Sequence, residues 1–336
     1  MTFSPITFNA GYMCVDAYAH VGIPRFGSVG QLIGNMDRHG IRKSASVLGP
    51  LVPDLGALYE SVSRYPDRLR GFGIVFGATA GQRAELACIQ LEAGALGIRM
   101  GAGEAAGNPE ILRAIGERGR WLYVFDPYSD ERVAGLLLEW LERYPGARLA
   151  APHFLKAGFI ADAIGGNRAE LLRHPHFYAI LSRHGEMESR KPYPHDDFRP
   201  WIEHLIDHMG WERIFWGSEY PVLYWRNETI ASAISWIRAL VPEITDDQLQ
   251  GFLGGNAQRV LFDTPPPPVQ QVKTPEWVSA QFEFDREVPF FHPGGISVPS
   301  ALYRRLFDRY MEDVNGSGTA FGDYLLQLLK ERLDMD

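Results

Sequence analysis

Through the first 260 residues, short β-rich apolar runs alternate with longer stretches whose apolar positions recur at spacings of three and four. Compact runs rich in β-branched and aromatic residues suit strands, whereas three-four spacing places apolar side chains along one face of a helix. Eight runs stand out: MCVDAYAH from Met13, SASVLG from Ser44, RLRGFGIVF from Arg68, ALGIRM from Ala95, WLYVFD from Trp121, ARLAAPHF from Ala147, FYAILS from Phe177 and RIFWGSE from Arg213. Each is followed by a segment that reads as helix, or loop plus helix. DERVAGLLLEWLERYP and RPWIEHLIDHMG are clear examples, ended by Pro and Gly. Eight such units in about 250 residues predict an α/β fold of the closed (β/α)8 type, a TIM barrel, more readily than an open doubly wound sheet.

The rhythm breaks at DTPPPPVQQVKTPEW, where four consecutive prolines from Pro265 cannot continue a helix and favour a stiff spacer. The barrel is therefore placed at 1–264 and a C-terminal extension at 265–336. In the extension the pattern suggests a strand at SAQFEFD, a turn at HPGG, and two helices at SALYRRLFDRYMED and AFGDYLLQLLKERL. The aromatic and leucine stripes of those helices need a partner surface, either the barrel itself or another copy of the chain in a homo-oligomer.

A chain of 336 residues with 46% hydrophobic residues can bury a large core, and its net charge of -8 offers no broad cationic field for nucleic acid. No apolar run approaches the roughly 18 residues of a spanning helix, and MTFSPITFNAGYM lacks the basic start and apolar core of a leader. These features predict a cytoplasmic protein without a nucleic-acid or membrane partner. Two cysteines, Cys14 and Cys88, in apolar settings read as buried thiols, not as a disulfide framework.

In a barrel of this kind the side chains available for chemistry sit at the C-terminal ends of the strands. Asp16, Tyr18 and His20 fall there on the first strand, Arg99 on the fourth, Asp126 on the fifth and His153 on the sixth. Ser182, Arg183 and His184 follow the seventh, with Ser218 and Glu219 on the eighth. Imidazoles, carboxylates and a guanidinium around one mouth suit an anionic substrate and an activated water. Arg99 fits a substrate carboxylate through its bidentate fork, with Asp126, Arg183 and His184 as further substrate contacts. The structural alternative for Arg99 is an ion pair with Asp126 or Glu104. The long loop SRHGEMESRKPYPHDDF, which includes His195, is either a substrate lid or simply exposed. GAGEAAG from Gly101 matches a dinucleotide fingerprint only loosely, and His204 with His208 reads as a helix face.

The motifs DAYAH, LGIRM, APHFLKAG, FWGSEYPV and FLGGNAQRVLF, in that order over roughly residues 11 to 262, resemble the amidohydrolase superfamily. The likeness is to its amidohydrolase-related branch of lactonases, decarboxylases and hydratases. That resemblance implies a mouth in which the first strand's histidines and the eighth strand's acid hold a divalent metal and activate water. Here the first histidine is replaced by Tyr18 and the aspartate by Glu219. A phenol is a poor ligand for zinc at neutral pH. Two cases stay open: His20, His153 and Glu219 hold one zinc or manganese ion, or no metal takes part. In the second case Glu219 deprotonates a water while His20, His153 and Tyr18 stabilise the charge developing on a carbonyl oxygen. The implied activity is hydrolysis of a small carboxylated substrate, a lactone or related cyclic ester. The alternatives are a non-oxidative decarboxylase and a barrel that has lost catalysis and serves as a binding module.

Overall fold

A computed structural model of the chain describes residues 12–127, 130–156, 165–182, 189, 191–226, 228–282, 287–289, 297–314, 319 and 321–333. Eight strands, β1 (Cys14–Val21), β2 (Ile41–Leu48), β3 (Leu69–Ile74), β4 (Gly97–Gly101), β5 (Trp121–Phe125), β6 (Arg148–Ala151), β7 (Phe177–Leu181) and β8 (Ile214–Trp216), carry the expected runs. They lie in sequence order, every neighbouring pair parallel. Two backbone bonds join the ends of this sheet: the Glu219 amide donates to the Tyr18 carbonyl at 2.7 Å and the His20 amide to the Tyr220 carbonyl at 2.6 Å. The sheet is thus a (β/α)8 barrel, and the seam that closes it runs through residues of the mouth.

Alternating positions divide the strands between two apolar layers. Val15, Ala17, Val47, Phe72, Trp121, Tyr123, Ile180 and Phe215 fill the inside, and Leu261 and Phe262 join them from the helix that ends the barrel. Large rings occupy most of that interior: Phe72 stacks on Tyr123 with centroids 4.0 Å apart, and Tyr178 on Phe215 at 5.1 Å. The outward side chains of the strands pack against the surrounding helices in the larger cluster. Those helices start where the sequence offers caps. Ser28 with Gln31, Thr79 with Gln82, Thr229 with Ser232 and Thr245 with Gln248 each form reciprocal capping boxes.

The extension departs from the sequence pattern in one place and follows it in another. The alternating run SAQFEFD predicts a strand, yet Glu276–Gln281 is helical. Pro275 stands at its N-cap, and the helix turns Trp277 onto the Phe76 ring, 6.5 Å away and nearly parallel. Residues 283–285 of that run and the HPGG turn lie outside the described residues. The two later helices, Ser300–Val314 and Phe321–Arg332, are present. Their aromatic stripe packs on the barrel: Phe307 and Tyr310 lie against Tyr224, and Tyr303 against Trp225. Among the described residues, no helix is long and apolar enough to cross a membrane.

Candidate active site at the barrel mouth

Tyr18, His20, His153 and Glu219 are all buried and come together at the C-terminal end of the strands. The Tyr18 ring stands between the two imidazoles, edge-on to His20 at 4.9 Å and to His153 at 5.2 Å. His153 Nε2 lies 3.5 Å from Glu219 Oε1. Residues separated by more than 200 positions thus share one small volume. Close approach here depends on Gly217, where an added Cβ would come within 2.9 Å of Tyr18 Cβ and 2.8 Å of Ile180 Cγ2.

The backbone at the strand ends is bent to aim these groups. Asp126, His153 and Glu219 have φ of 63°, 57° and 56°, in the left-handed region that non-glycine residues seldom occupy. Each such residue costs about 1–3 kcal/mol and persists only where its surroundings hold it, and such strain gathers at functional sites. Asp126 follows β5 directly, His153 lies two residues past β6 and Glu219 three residues past β8.

Hydrogen bonds set the orientation of each imidazole. The His20 Nδ1–H donates to the Val47 carbonyl at 3.2 Å, which leaves Nε2 as the lone-pair nitrogen of the neutral ring. On the other side, Ser182 Oγ accepts the His153 amide at 3.2 Å and lies 3.0 Å from His153 Nδ1. Donation of the serine hydroxyl hydrogen to Nδ1 favours the tautomer with N–H at Nε2, directed at Glu219.

Asp16, on the same strand as Tyr18 and His20, plays a different part. Its carboxyl accepts the Tyr18 amide at 3.0 Å, the Ser218 amide at 2.9 Å and the Ser218 hydroxyl. Burial pushes it up from 3.8 to about 6, even though these bonds pull the other way. It is a pin between β1 and the segment leaving β8.

Two guanidinium groups complete the mouth. Arg99 Nε donates to the Tyr18 hydroxyl at 2.8 Å, and its guanidinium lies 4.6 Å above the Phe125 ring. Glu104, one of the ion-pair partners considered for Arg99, is instead held by Arg83 at 2.8 Å. Arg226, which the sequence reading passed over, donates from Nη2 to Glu219 Oε2 at 2.6 Å. Nothing in the sequence pattern marks it, because the contact arises from a 3-10 turn over Val222–Arg226 that folds the chain back.

The remaining candidates are less central. Asp126 is half-buried at the end of β5, and Arg183 and His184 lie outside the described residues. His195 turns its Nδ1 to the Lys191 carbonyl at 2.8 Å, within its own loop. His204 stacks on Trp201 along an outer helix. The thiols of Cys14 and Cys88 are both pushed up, chiefly by burial.

A metal centre of the kind implied by the resemblance needs three or more donors converging on one point. Among the described residues no group of three or more His, Cys, Asp and Glu is so arranged. The donors have other commitments: Glu219 binds the guanidinium of Arg226, Asp16 binds Ser218, and a tyrosine that accepts from Arg99 stands where an imidazole is needed. The described residues do not fit such a centre, and a fixed cation, Arg226, already pairs with Glu219.

The amidohydrolase family model matches residues 57–262, and the chain belongs to that family. Solved structures share the barrel at low identity. A proposed 2-pyrone-4,6-dicarboxylic acid hydrolase from Pseudomonas putida is 22% identical with a TM-score of 0.56, the match covering 74% of this chain and 97% of that one. A second proposed hydrolase of that acid, from Acinetobacter baumannii and with citric acid bound, is 18% identical with a TM-score of 0.58 over 74% and 98%. The 5-carboxyvanillate decarboxylase of Sphingomonas paucimobilis is 14% identical with a TM-score of 0.53 over the same shares, 74% and 98%. No curated protein sequence matches the chain significantly.

Proposed function

We propose that the chain is a hydrolase that opens a small carboxylated lactone or related cyclic ester. The observation that carries this reading is the cluster itself. A buried carboxylate, Glu219, faces His153 at 3.5 Å, and the Tyr18 ring separates that imidazole from His20.

In this reading Glu219 takes a proton from a water molecule as the water oxygen attacks the ester carbonyl. The developing oxyanion is met by neutral donors, the His153 Nε2–H and the Tyr18 hydroxyl, while the lone pair on His20 Nε2 is placed to accept from the attacking water. Collapse of the tetrahedral intermediate breaks the ring C–O bond. The proton held by Glu219 returns to the departing oxygen, giving a hydroxy acid or its keto tautomer. Arg99, fixed by Tyr18 and Phe125, pairs with a substrate carboxylate, with Asp126, Arg183 and His184 as further contacts. Arg226 supplies the positive charge without which a buried Glu219 carboxylate would be unfavourable.

The hydrolases among the structural neighbours favour a dicarboxylated pyrone as the first substrate to assay. Loss of pyrone absorbance with stoichiometric acid production is the expected result. Release of carbon dioxide without ring opening would instead favour the decarboxylase alternative. No turnover on pyrone or other lactone carboxylates would leave the reading without support.

A further inference from the structure

The segment Tyr220–Arg226 links the mouth to the C-terminal extension. Its inward end carries Arg226 onto Glu219. Its outward side is covered by the helix Ser300–Val314, which lies beyond residue 262, where the family match ends. Tyr220 and Tyr224 pack on Phe307 at 6.1 and 6.4 Å, Tyr224 also packs on Tyr310 at 5.4 Å, and Trp225 packs on Tyr303 at 6.1 Å. One directed bond lies in this aromatic interface: Trp225 Nε1–H donates to the Tyr303 hydroxyl at 2.8 Å, both side chains being buried. The same helix is tied to the barrel independently. The Gln31 amide reaches Asp308, and the Arg38 guanidinium reaches the Met311 sulfur at 3.4 Å and the Met311 carbonyl.

We infer that the C-terminal helix holds the Tyr220–Arg226 turn against the barrel mouth, and that Tyr303 is the positioning residue through which it keeps Arg226 on Glu219. This rests on the reading above that Glu219 is the base. Arg226 and Glu219 have side chains only 4% and 2% exposed, and an ion pair so deeply buried tolerates little error in geometry. Trp225 is the residue adjacent to Arg226, so a bond that fixes the indole also fixes where the guanidinium begins. The 3-10 turn is only five residues long, and helices of this kind have poorer hydrogen-bond geometry than α-helices, so it gains from an outside constraint. Packing from the extension supplies the constraint.

The test is a double-mutant cycle that needs no substrate, so loss of lactone turnover bears on the proposed function alone. Full-length wild type, Tyr303→Phe, Glu219→Gln and the double variant are unfolded in urea, and amide exchange is followed across residues 222–226. Tyr303→Phe keeps the ring and removes only the acceptor. If the helix acts through Arg226, Tyr303→Phe speeds exchange in the turn by tenfold or more and leaves the strands unchanged. Its effect on the unfolding constant is then at least fivefold smaller when Glu219 has already been neutralised, because the pair it guards is gone. Unchanged exchange in the turn, or strict additivity of the two substitutions, overturns the inference. Residues without a shared partner add to within about 0.5 kcal/mol, about a twofold change in the constant.

Discussion

Arg226 donates to Glu219 at 2.6 Å, and both side chains lie almost wholly out of water. The other carboxylate oxygen of Glu219 faces His153. One carboxylate thus joins a fixed cation to an imidazole at the seam of the barrel, and the chemistry proposed for the mouth depends on that junction.

Removing the cation alone should be costly. An Arg226→Met substitution leaves the buried Glu219 carboxylate without its cation, and breaking a buried pair on one side costs about 3–5 kcal/mol. Urea unfolding measures this. Arg226→Lys, which keeps the charge and loses the fork, should recover only part of the loss.

The pin at the seam gives a pH signature. The Asp16 carboxyl stands at about 6 against an ordinary 3.8, so the folded chain binds this proton more tightly than the unfolded one. Its contribution to stability therefore declines as pH rises through the interval between those values, by about 3 kcal/mol at roughly 1.4 kcal/mol per unit. In Asp16→Asn this decline should vanish. The difference between wild-type and variant unfolding free energies, plotted from pH 3.5 to 7, reads it directly, and a flat difference would contradict the assignment.

Arg99 is expected to act on binding. With its guanidinium stacked on Phe125 and bonded to Tyr18, Arg99→Met should raise KM for a carboxylated lactone by tenfold or more. The methyl ester of the same substrate should be turned over equally well by both proteins. Steady-state kinetics on the two substrates separate a carboxylate anchor from a residue that only packs.

Metal depletion should have little effect. Because Arg226 rather than an ion neutralises Glu219, prolonged dialysis against a chelator is expected to leave turnover and melting temperature unchanged within error. A loss restored by stoichiometric zinc or manganese would show that the donor set rearranges to hold an ion.

Much of the fold was legible in the sequence because its two periods are physically distinct. Val15 and Ala17 alternate into the barrel interior until an irregularity in β1 turns Ala19 to the outer layer, while Val133, Leu137, Trp140 and Leu141 recur at helical spacing, and all are buried. The placement of Tyr18, His20, His153 and Glu219 at one mouth followed from their common position at strand ends. Arg226 was not legible, since its partner is chosen by a turn whose direction depends on packing against helices 80 residues further along. The first part of the strand expected at SAQFEFD, Ser279–Gln281, is helical for a related reason. Its alternation is local, whereas Pro275 starts a helix just before it and Trp277 finds a ring to cover on Phe76.

The account turns on whether Glu219 removes the proton from the attacking water, and the Glu219→Gln variant tests this most directly. It keeps the side-chain shape and removes the carboxylate charge, while Glu228, 3.4 Å from Arg226 Nε, still meets the guanidinium. Lactone opening should fall by about 10²–10⁴-fold in kcat with KM nearly unchanged, in a protein whose circular dichroism matches wild type. Turnover at the wild-type rate in that variant would remove Glu219 from the mechanism and contradict the account.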